Sequence, residues 1–324
     1  MSIPPILSGL RIPVIGAPLF IISNPKLVIA QCTAGIVGSF PALNARPASQ
    51  LDEWIHEITE ALAAHDRRHP DRLSAPFAVN QIVHRSNDRF DADMAVCEKW
   101  KVPIVITSLG AREELNQAVH GWGGITLHDI IDDRFARKAA AKGADGLIAV
   151  AAGAGGHAGR WSPFALIQEI RMWFDGPLVL SGAIANGSAV LAAQAAGADL
   201  AYIGSPFIAT PEARCSDDYR QAIVEGSAAD IVYTDYFTGV HGNYLRSSIE
   251  RAGLDPLALL SADPNAMKFG SEGSGKSKAW RDIWGSGQGI GVIDKIQPAA
   301  DYVAQLDREY QAARERLCVP IAGR

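Results

Sequence analysis

The stretch GADGLIAV, residues 143–150, has a counterpart in GADLAYIG at residues 197–204: Gly-Ala-Asp recurs and an apolar run follows it. Each copy follows an Ala-rich helical pattern, AAAK at 139–142 and AAQAA at 192–196. Glycine suits the left-handed residue that ends a helix, and the apolar run after it suits a buried strand. A repeated helix–Gly-Ala-Asp–strand unit, with room for two βα units between the copies, predicts a parallel α/β fold.

Short apolar runs lie on either side of this pair and within it, at 13–16, 36–40, 77–81, 104–108, 125–128, 147–150, 178–181 and 201–204. Helical patterns fall between them, at 25–32, 51–64, 91–100, 112–120, 132–142, 163–174 and 188–196. Eight strands alternating with helices predict an α/β protein of the closed (β/α)₈ TIM-barrel type. The rhythm stops after residue 205. Residues 1–211 are therefore assigned to the barrel, and 212–290 to a smaller, mainly helical accessory or lid domain. Residues 291–324 are assigned to a C-terminal helix packing back on the barrel. Tyr302, Val303, Leu306, Tyr310 and Leu317 give that last helix one apolar face.

The chain of 324 residues is 48% hydrophobic with a net charge of −5, ample for a large core. No basic stripe points to nucleic acid, and no uninterrupted apolar run of about 18 residues points to a membrane span. Prolines and the lack of a basic start argue against a signal peptide, so a cytoplasmic protein is expected. Cys32, Cys97, Cys215 and Cys318 are scattered, which predicts reduced, mostly buried thiols and no metal site.

GSEGSGKS at 270–277 matches the letters of a phosphate-binding P-loop. A P-loop needs a buried strand before it and a helix after it. Asp263, Pro264 and Asn265 break any strand there, so the match is read as a surface loop.

In a (β/α)₈ barrel, chemistry belongs at the carboxyl ends of the strands. Those ends carry Ala17, Pro18 and Leu19; Asn80; His128 and Asp129; the glycine-rich AAGAGGHAG at 151–159; Ser181, Gly182 and Ala183; and Gly204 and Ser205. The last two groups are small turns before helices, suited to a phosphate. The apolar strand-one end suits a flat ring, and Asn80 offers both a donor and an acceptor. His157 is the titratable side chain in a loop of glycines, fit to move a proton or hold an anion. Adjacent strand residues face opposite ways. Asp129 is given the site-facing position and His128 a structural one. Asp145 and Asp199 are read as turn residues, and His241 is given no role.

AGGHAG at 154–159, SGAIANG at 181–187, GADLAYIGSPFIAT at 197–210 and SGQGIG at 286–291 together resemble the nitronate monooxygenase family. The resemblance implies a barrel that binds FMN without a covalent link. It implies oxidation of alkyl nitronates, and of neutral nitroalkanes in some members, by dioxygen to a carbonyl compound and nitrite. By position, Gly156, Ser181, Gly182, Ala183, Gly204 and Ser205 would hold the phosphate and ribityl chain. Ala17, Pro18, Leu19, Asn80, Asp129 and Gln288 would lie around the flavin ring or substrate, with His157 as the catalytic residue. A homodimer is the expected assembly. Two positions depart from the family: Gly16, where relatives often carry Gln, and Asp129, where some carry Lys. A carboxylate would not stabilise reduced anionic flavin as Lys does. An NAD(P)H-dependent quinone or enoyl reductase on the same barrel is therefore a second reading. A redox-inert phosphate-ligand barrel, an aldolase, isomerase or binding protein, is the third. Against the aldolase, no Lys stands at any strand end.

Overall fold

The computed structural model describes residues 3–259 and 282–318. In chain order the barrel half runs β1 (Val14–Gly16), α1 (Pro25–Ala34), β2 (Gly38–Pro41), α2 (Gln50–Arg68), β3 (Phe77–Ile82), α3 (Phe90–Lys99), β4 (Ile104–Ser108), α4 (Glu113–Gly121), β5 (Ile125–Ile130), α5 (Asp133–Ala141) and β6 (Gly146–Val150). It continues through β7 (Gly156–His157), α6 (Pro163–Arg171), β8 (Leu178–Ser181), α7 (Gly187–Ala195), β9 (Leu200–Ile203) and α8 (Ser205–Ile208). Then come α9 (Asp217–Glu225), β10 (Ile231–Thr234), β11 (Gly242–Leu245), α10 (Arg246–Arg251) and α11 (Ala299–Cys318).

Eight parallel strands form one sheet in the order β1-β9-β8-β6-β5-β4-β3-β2. A parallel bridge between Ile15 and Val37 joins its two edges and closes a (β/α)₈ barrel. Ile15, Val37, Ile104, Leu127, Ile148 and Val179 fill the interior, and Tyr202 joins them. A second core between strands and helices is built from Leu27, Leu147, Leu180, Phe207 and the apolar face of α11. The barrel strands thus bury side chains on both faces, which is why they read as mainly apolar runs.

The two Gly-Ala-Asp copies prove to be one structural device. Gly143 and Gly197 end their helices at φ +86° and +111°. Asp145 Oδ2 accepts the Thr126 N–H at 2.7 Å, and Asp199 Oδ2 accepts the Leu178 N–H at 2.8 Å. Each carboxylate ties the start of its own strand to the start of the neighbouring strand. Asp199 also pairs with Arg171, and Asp145 with His120. The pair sits at the amino end of the barrel, opposite the site.

α8 is too short to cover β9. α11 takes that place, packing against α1 and α7. Tyr302 donates from its hydroxyl to Ala185 O at 3.0 Å, and Tyr310 donates to Gln194 Oε1 at 2.5 Å.

The segment after β9 holds more than helices. β10, β11 and the two-residue β7 form an antiparallel sheet in the order β10-β11-β7. Ile231 and Val232 are half-buried and Tyr233 is exposed. This short, half-wet hairpin leaves an apolar run of only three residues, Ile231 to Tyr233, too short to mark a strand against the polar residues around it. The GSEGSGKS segment lies outside the described residues. Among the described residues, no helix is long and apolar enough to cross a membrane. All four cysteines are free; Cys32 and Cys97 are buried, Cys215 is half-buried and Cys318 is exposed.

Candidate functional site

Alternation along the strands decides which side chains reach the barrel mouth. In β3, Ala78 points inward, and so does Asn80 two residues on. The same step carries Ile106 to Ser108 in β4 and Leu127 to Asp129 in β5. Asn80 Nδ2 donates to Ser108 Oγ at 2.7 Å, and Ser108 Oγ donates to Asp129 Oδ2 at 2.5 Å. Three neighbouring strands thus present one oriented chain of polar groups. Burial pushes the Asp129 carboxyl up to about 7, against which the Ser108 hydrogen bond pulls. Asp129 as a residue is half-buried, but its Oδ1 is sealed from solvent and has no hydrogen-bond partner. The Tyr202 hydroxyl is likewise sealed and unpartnered. Its pKa is raised by burial and then by the Asp129 charge, so the two groups sense each other across the mouth.

His128, by contrast, faces away. Its Nδ1 meets Thr107 Oγ1 at 2.5 Å, and burial pushes its pKa down to about 4. The opposite orientations expected from strand parity are the ones the structure displays.

The second group gathers around the β6–α6 loop. Gly153 O accepts N–H groups from Gln288 at 2.9 Å and Ala183 at 3.3 Å. Ser205 Oγ accepts from Gly287 N at 2.9 Å. Asn243 Nδ2 donates to Ala154 O at 2.6 Å. Four distant segments therefore meet: 153–157, 181–183, 204–205 and 286–289. A Cβ on Gly287 would fall 2.7 Å from Gly153 O, so only glycine permits the approach. Gly182 has φ +140° and a Cβ there would sit 2.7 Å from Ala152 O; Ala183 follows at φ +54°. This turn is bent against ordinary preference, a mark often found at working sites. Ser181 is buried, and its carbonyl accepts from Ala151 N at 3.0 Å.

The strand-one end borders the same region. Ala17 N donates to Ile203 O at 2.8 Å. A Cβ on Gly204 would lie 3.2 Å from Leu19 Cδ2 and 3.5 Å from Ala17 Cβ. Pro18 is half-buried between them in sequence. Gly16 faces outward: a Cβ there would fall 2.3 Å from Gln31 Nε2, so Gln31 of α1 fills the room a side chain at position 16 would need.

His157 belongs to β7 and pairs with Gly242; Gly156 pairs with Asn243. Its Nε2 lies 2.9 Å from Thr238 Oγ1, and burial pushes its pKa down to about 4. It is therefore a neutral imidazole at neutral pH. His241 contributes backbone, accepting from Ala158 N at 3.1 Å. Ser108, Tyr202, Thr238 and Asn243 were not singled out from the sequence. Ser108 and Tyr202 were within reach of strand parity. Thr238 and Asn243 were not, since their partners are remote in the chain.

The nitronate monooxygenase family model matches residues 6–309, nearly the whole described chain. The chain belongs to the nitronate monooxygenase family. It is similar to a nitronate monooxygenase of Paraburkholderia phytofirmans, 27% identical over 96% of this chain and 95% of that one. In fold it resembles the nitroalkane oxidase of Streptomyces ansochromogenes, with a TM-score of 0.78, 24% identity, and 95% and 98% of the two chains covered. It also resembles FabK of Thermotoga maritima, with a TM-score of 0.75, 24% identity and 96% of each chain covered. These two likenesses show the barrel. Membership of the nitronate monooxygenase family makes the chain an oxidoreductase and sets aside the redox-inert reading.

Proposed function

We propose that this chain oxidises alkyl nitronates, and neutral nitroalkanes after deprotonation, with dioxygen to a carbonyl compound and nitrite, using FMN. The observation that carries the reading is the meeting of the 153–157, 181–183, 204–205 and 286–289 segments beside His157. The residues present fit FMN. Gly182–Ala183 and Gly204–Ser205 offer strained or side-chain-poor backbone for a phosphate. Gly204 lies closely against Ala17 and Leu19, which gives this turn an apolar, side-chain-poor surface. The sealed Asp129 Oδ1 and Tyr202 hydroxyl are polar atoms still owed a partner.

Gly156, Ser181, Gly182, Ala183, Gly204 and Ser205 would hold the phosphate and ribityl chain. Ala17, Pro18, Leu19, Asn80, Asp129 and Gln288 would surround the ring or substrate. Bound FMN supplies an electron acceptor that passes electrons on to dioxygen. His157, neutral at working pH, takes the carbon-bound proton of a nitroalkane. Once charged, it holds the nitronate that results.

A second reading draws on Asp129. A carboxyl that keeps its proton near neutral pH is a proton donor for reducing a double bond, as an NAD(P)H-dependent reductase requires. Oxygen uptake and nitrite release with an alkyl nitronate, set against NAD(P)H oxidation with quinones and enoyl thioesters, separates the two. Nitrite formed without NAD(P)H supports the first. Turnover only with NAD(P)H rejects it.

A further inference from the structure

We propose that Tyr202 and Asp129, the latter as its neutral acid, are paired hydrogen-bond donors to one planar oxygen of a bound ligand, a nitro or carbonyl oxygen, at the floor of the barrel mouth. The inference rests on the reading of this mouth as the ligand site. Asn80 Nδ2 donates to Ile106 O at 3.3 Å and to Ser108 Oγ at 2.7 Å. A carbonyl can only accept, so the contact with Ile106 identifies this amide atom as the nitrogen. Both its hydrogens are then placed, and Ser108 Oγ receives one of them. The hydrogen of Ser108 therefore goes to its other partner, Asp129 Oδ2, at 2.5 Å. Oδ2 is an acceptor, so the proton of the acid form sits on Oδ1. That atom is sealed from solvent, and no group of the protein accepts from it.

Tyr202 supplies the second donor. Leu200 and Tyr202 face the barrel interior, whereas Ala201 and Ile203 pack outward against the helices. Tyr202 is 7% exposed, and its hydroxyl is sealed without a partner. Burial keeps this phenol protonated, so it has a hydrogen to give. β5 and β9 are separated by β6 and β8, and the two side chains meet across the interior. They do not hydrogen-bond each other, yet the charge of Asp129 reaches the phenol. A buried donor without an acceptor costs stability, and here two such donors stand together. Neutral donors of this kind suit an oxygen that gains negative charge as a reaction proceeds. A nitro oxygen does so when the adjacent carbon loses its proton. The carbonyl oxygen of an enone does so when hydride reaches the far carbon of its double bond.

Tyr202→Phe removes one donor and Asp129→Leu the other. Asp129→Asn keeps a donor, because its Oδ1 takes the Ser108 hydrogen and its Nδ2 stands where the free carboxyl oxygen was. Affinities are read below the Asp129 midpoint of about 7. FMN-loaded protein is titrated with tert-nitrobutane, which has no proton to lose, and with cyclohexenone in the absence of NAD(P)H. Flavin-free protein is titrated with FMN, whose ring also carries carbonyl oxygens. Tyr202→Phe and Asp129→Leu should weaken the same ligand about tenfold, while Asp129→Asn stays within about threefold of the unaltered protein. The thermal midpoint of flavin-free Tyr202→Phe should not fall, because no bond within the protein is lost. A loss on FMN assigns the oxygen to the flavin, a loss on either probe assigns it to the substrate, and both support the proposal. Unchanged affinities in Tyr202→Phe overturn it, with or without a lowered thermal midpoint, as does an Asp129→Asn as weak as Asp129→Leu. Failure of the nitronate reading looks different: the unaltered protein would not bind tert-nitrobutane, and FMN and cyclohexenone would still decide the donor pair.

Discussion

Ser108 Oγ donates to Asp129 Oδ2 at 2.5 Å, while Asp129 Oδ1 beside it is sealed and unpartnered. One oxygen is satisfied and the other waits, and burial keeps the proton on the group up to a pH of about 7. The folded protein thus holds this proton more tightly than the unfolded chain, whose Asp titrates near ~3.9. The stability this contributes is full below about pH 4 and is lost as pH rises through 7. His128 and His157, both pushed down to about 4, act in the opposite sense: they cost stability as pH falls below about 6.5. The difference between the unaltered protein and Asp129→Asn isolates the carboxyl. Urea unfolding of the flavin-free proteins should show that difference moving in favour of the variant by about 3 kcal/mol between pH 4 and pH 7. A difference that does not vary with pH would show that Asp129 titrates as an ordinary carboxylate.

His157→Ala should keep flavin and fold, because the imidazole's neighbours on β11 are held by backbone pairing. Its turnover on neutral nitroalkanes should fall by about 10²–10⁴. Turnover on preformed nitronates, which have no proton to lose, should fall much less. Steady-state kinetics on the two forms of one compound makes the comparison. Equal losses would place His157 in binding alone.

Gly182→Ala tests the strained turn. The backbone sits at φ +140°, and the new Cβ would lie 2.7 Å from Ala152 O. The expected cost is about 1–3 kcal/mol of stability with a clear loss of flavin affinity. Thermal unfolding and flavin titration read the two effects separately. An unchanged affinity would move the phosphate elsewhere.

Asp199→Ala should behave differently, since Asp199 stands at the opposite end of the barrel. Losing the Leu178 N–H and the Arg171 partner should cost about 2–3 kcal/mol, measured by urea unfolding. Its kcat and flavin affinity should stay near the unaltered values. A selective loss of kcat would contradict the assignment of this end to structure alone.

The barrel was legible because its strands are buried on both faces and each is one apolar run closed by a turn. The Gly-Ala-Asp repeat was legible as helix end and strand start. The carboxylate clamp it makes was not, since Thr126 and Leu178 lie on neighbouring strands. Asp129 and His128 were told apart by alternation alone. Ser108 obeys the same parity, but a serine at a strand end carries no chemical signal until Asp129 is placed beside it. The β10–β11 hairpin escaped because Tyr233 and its neighbours are only partly buried. With it went Thr238, which is 81 residues from the histidine it touches. At Gly16, where the family resemblance led one to expect Gln, Gln31 of α1 occupies the space a side chain would need.

The most direct test of the flavin and nitronate account is a visible absorption spectrum of the purified protein, taken before and after anaerobic addition of an alkyl nitronate. Flavin bands are expected at the outset, with a change to reduced flavin on adding nitronate and their return with nitrite when air is admitted. Flavin bands that ignore nitronate and bleach only with NAD(P)H, or a colourless protein that FMN does not restore, would contradict it.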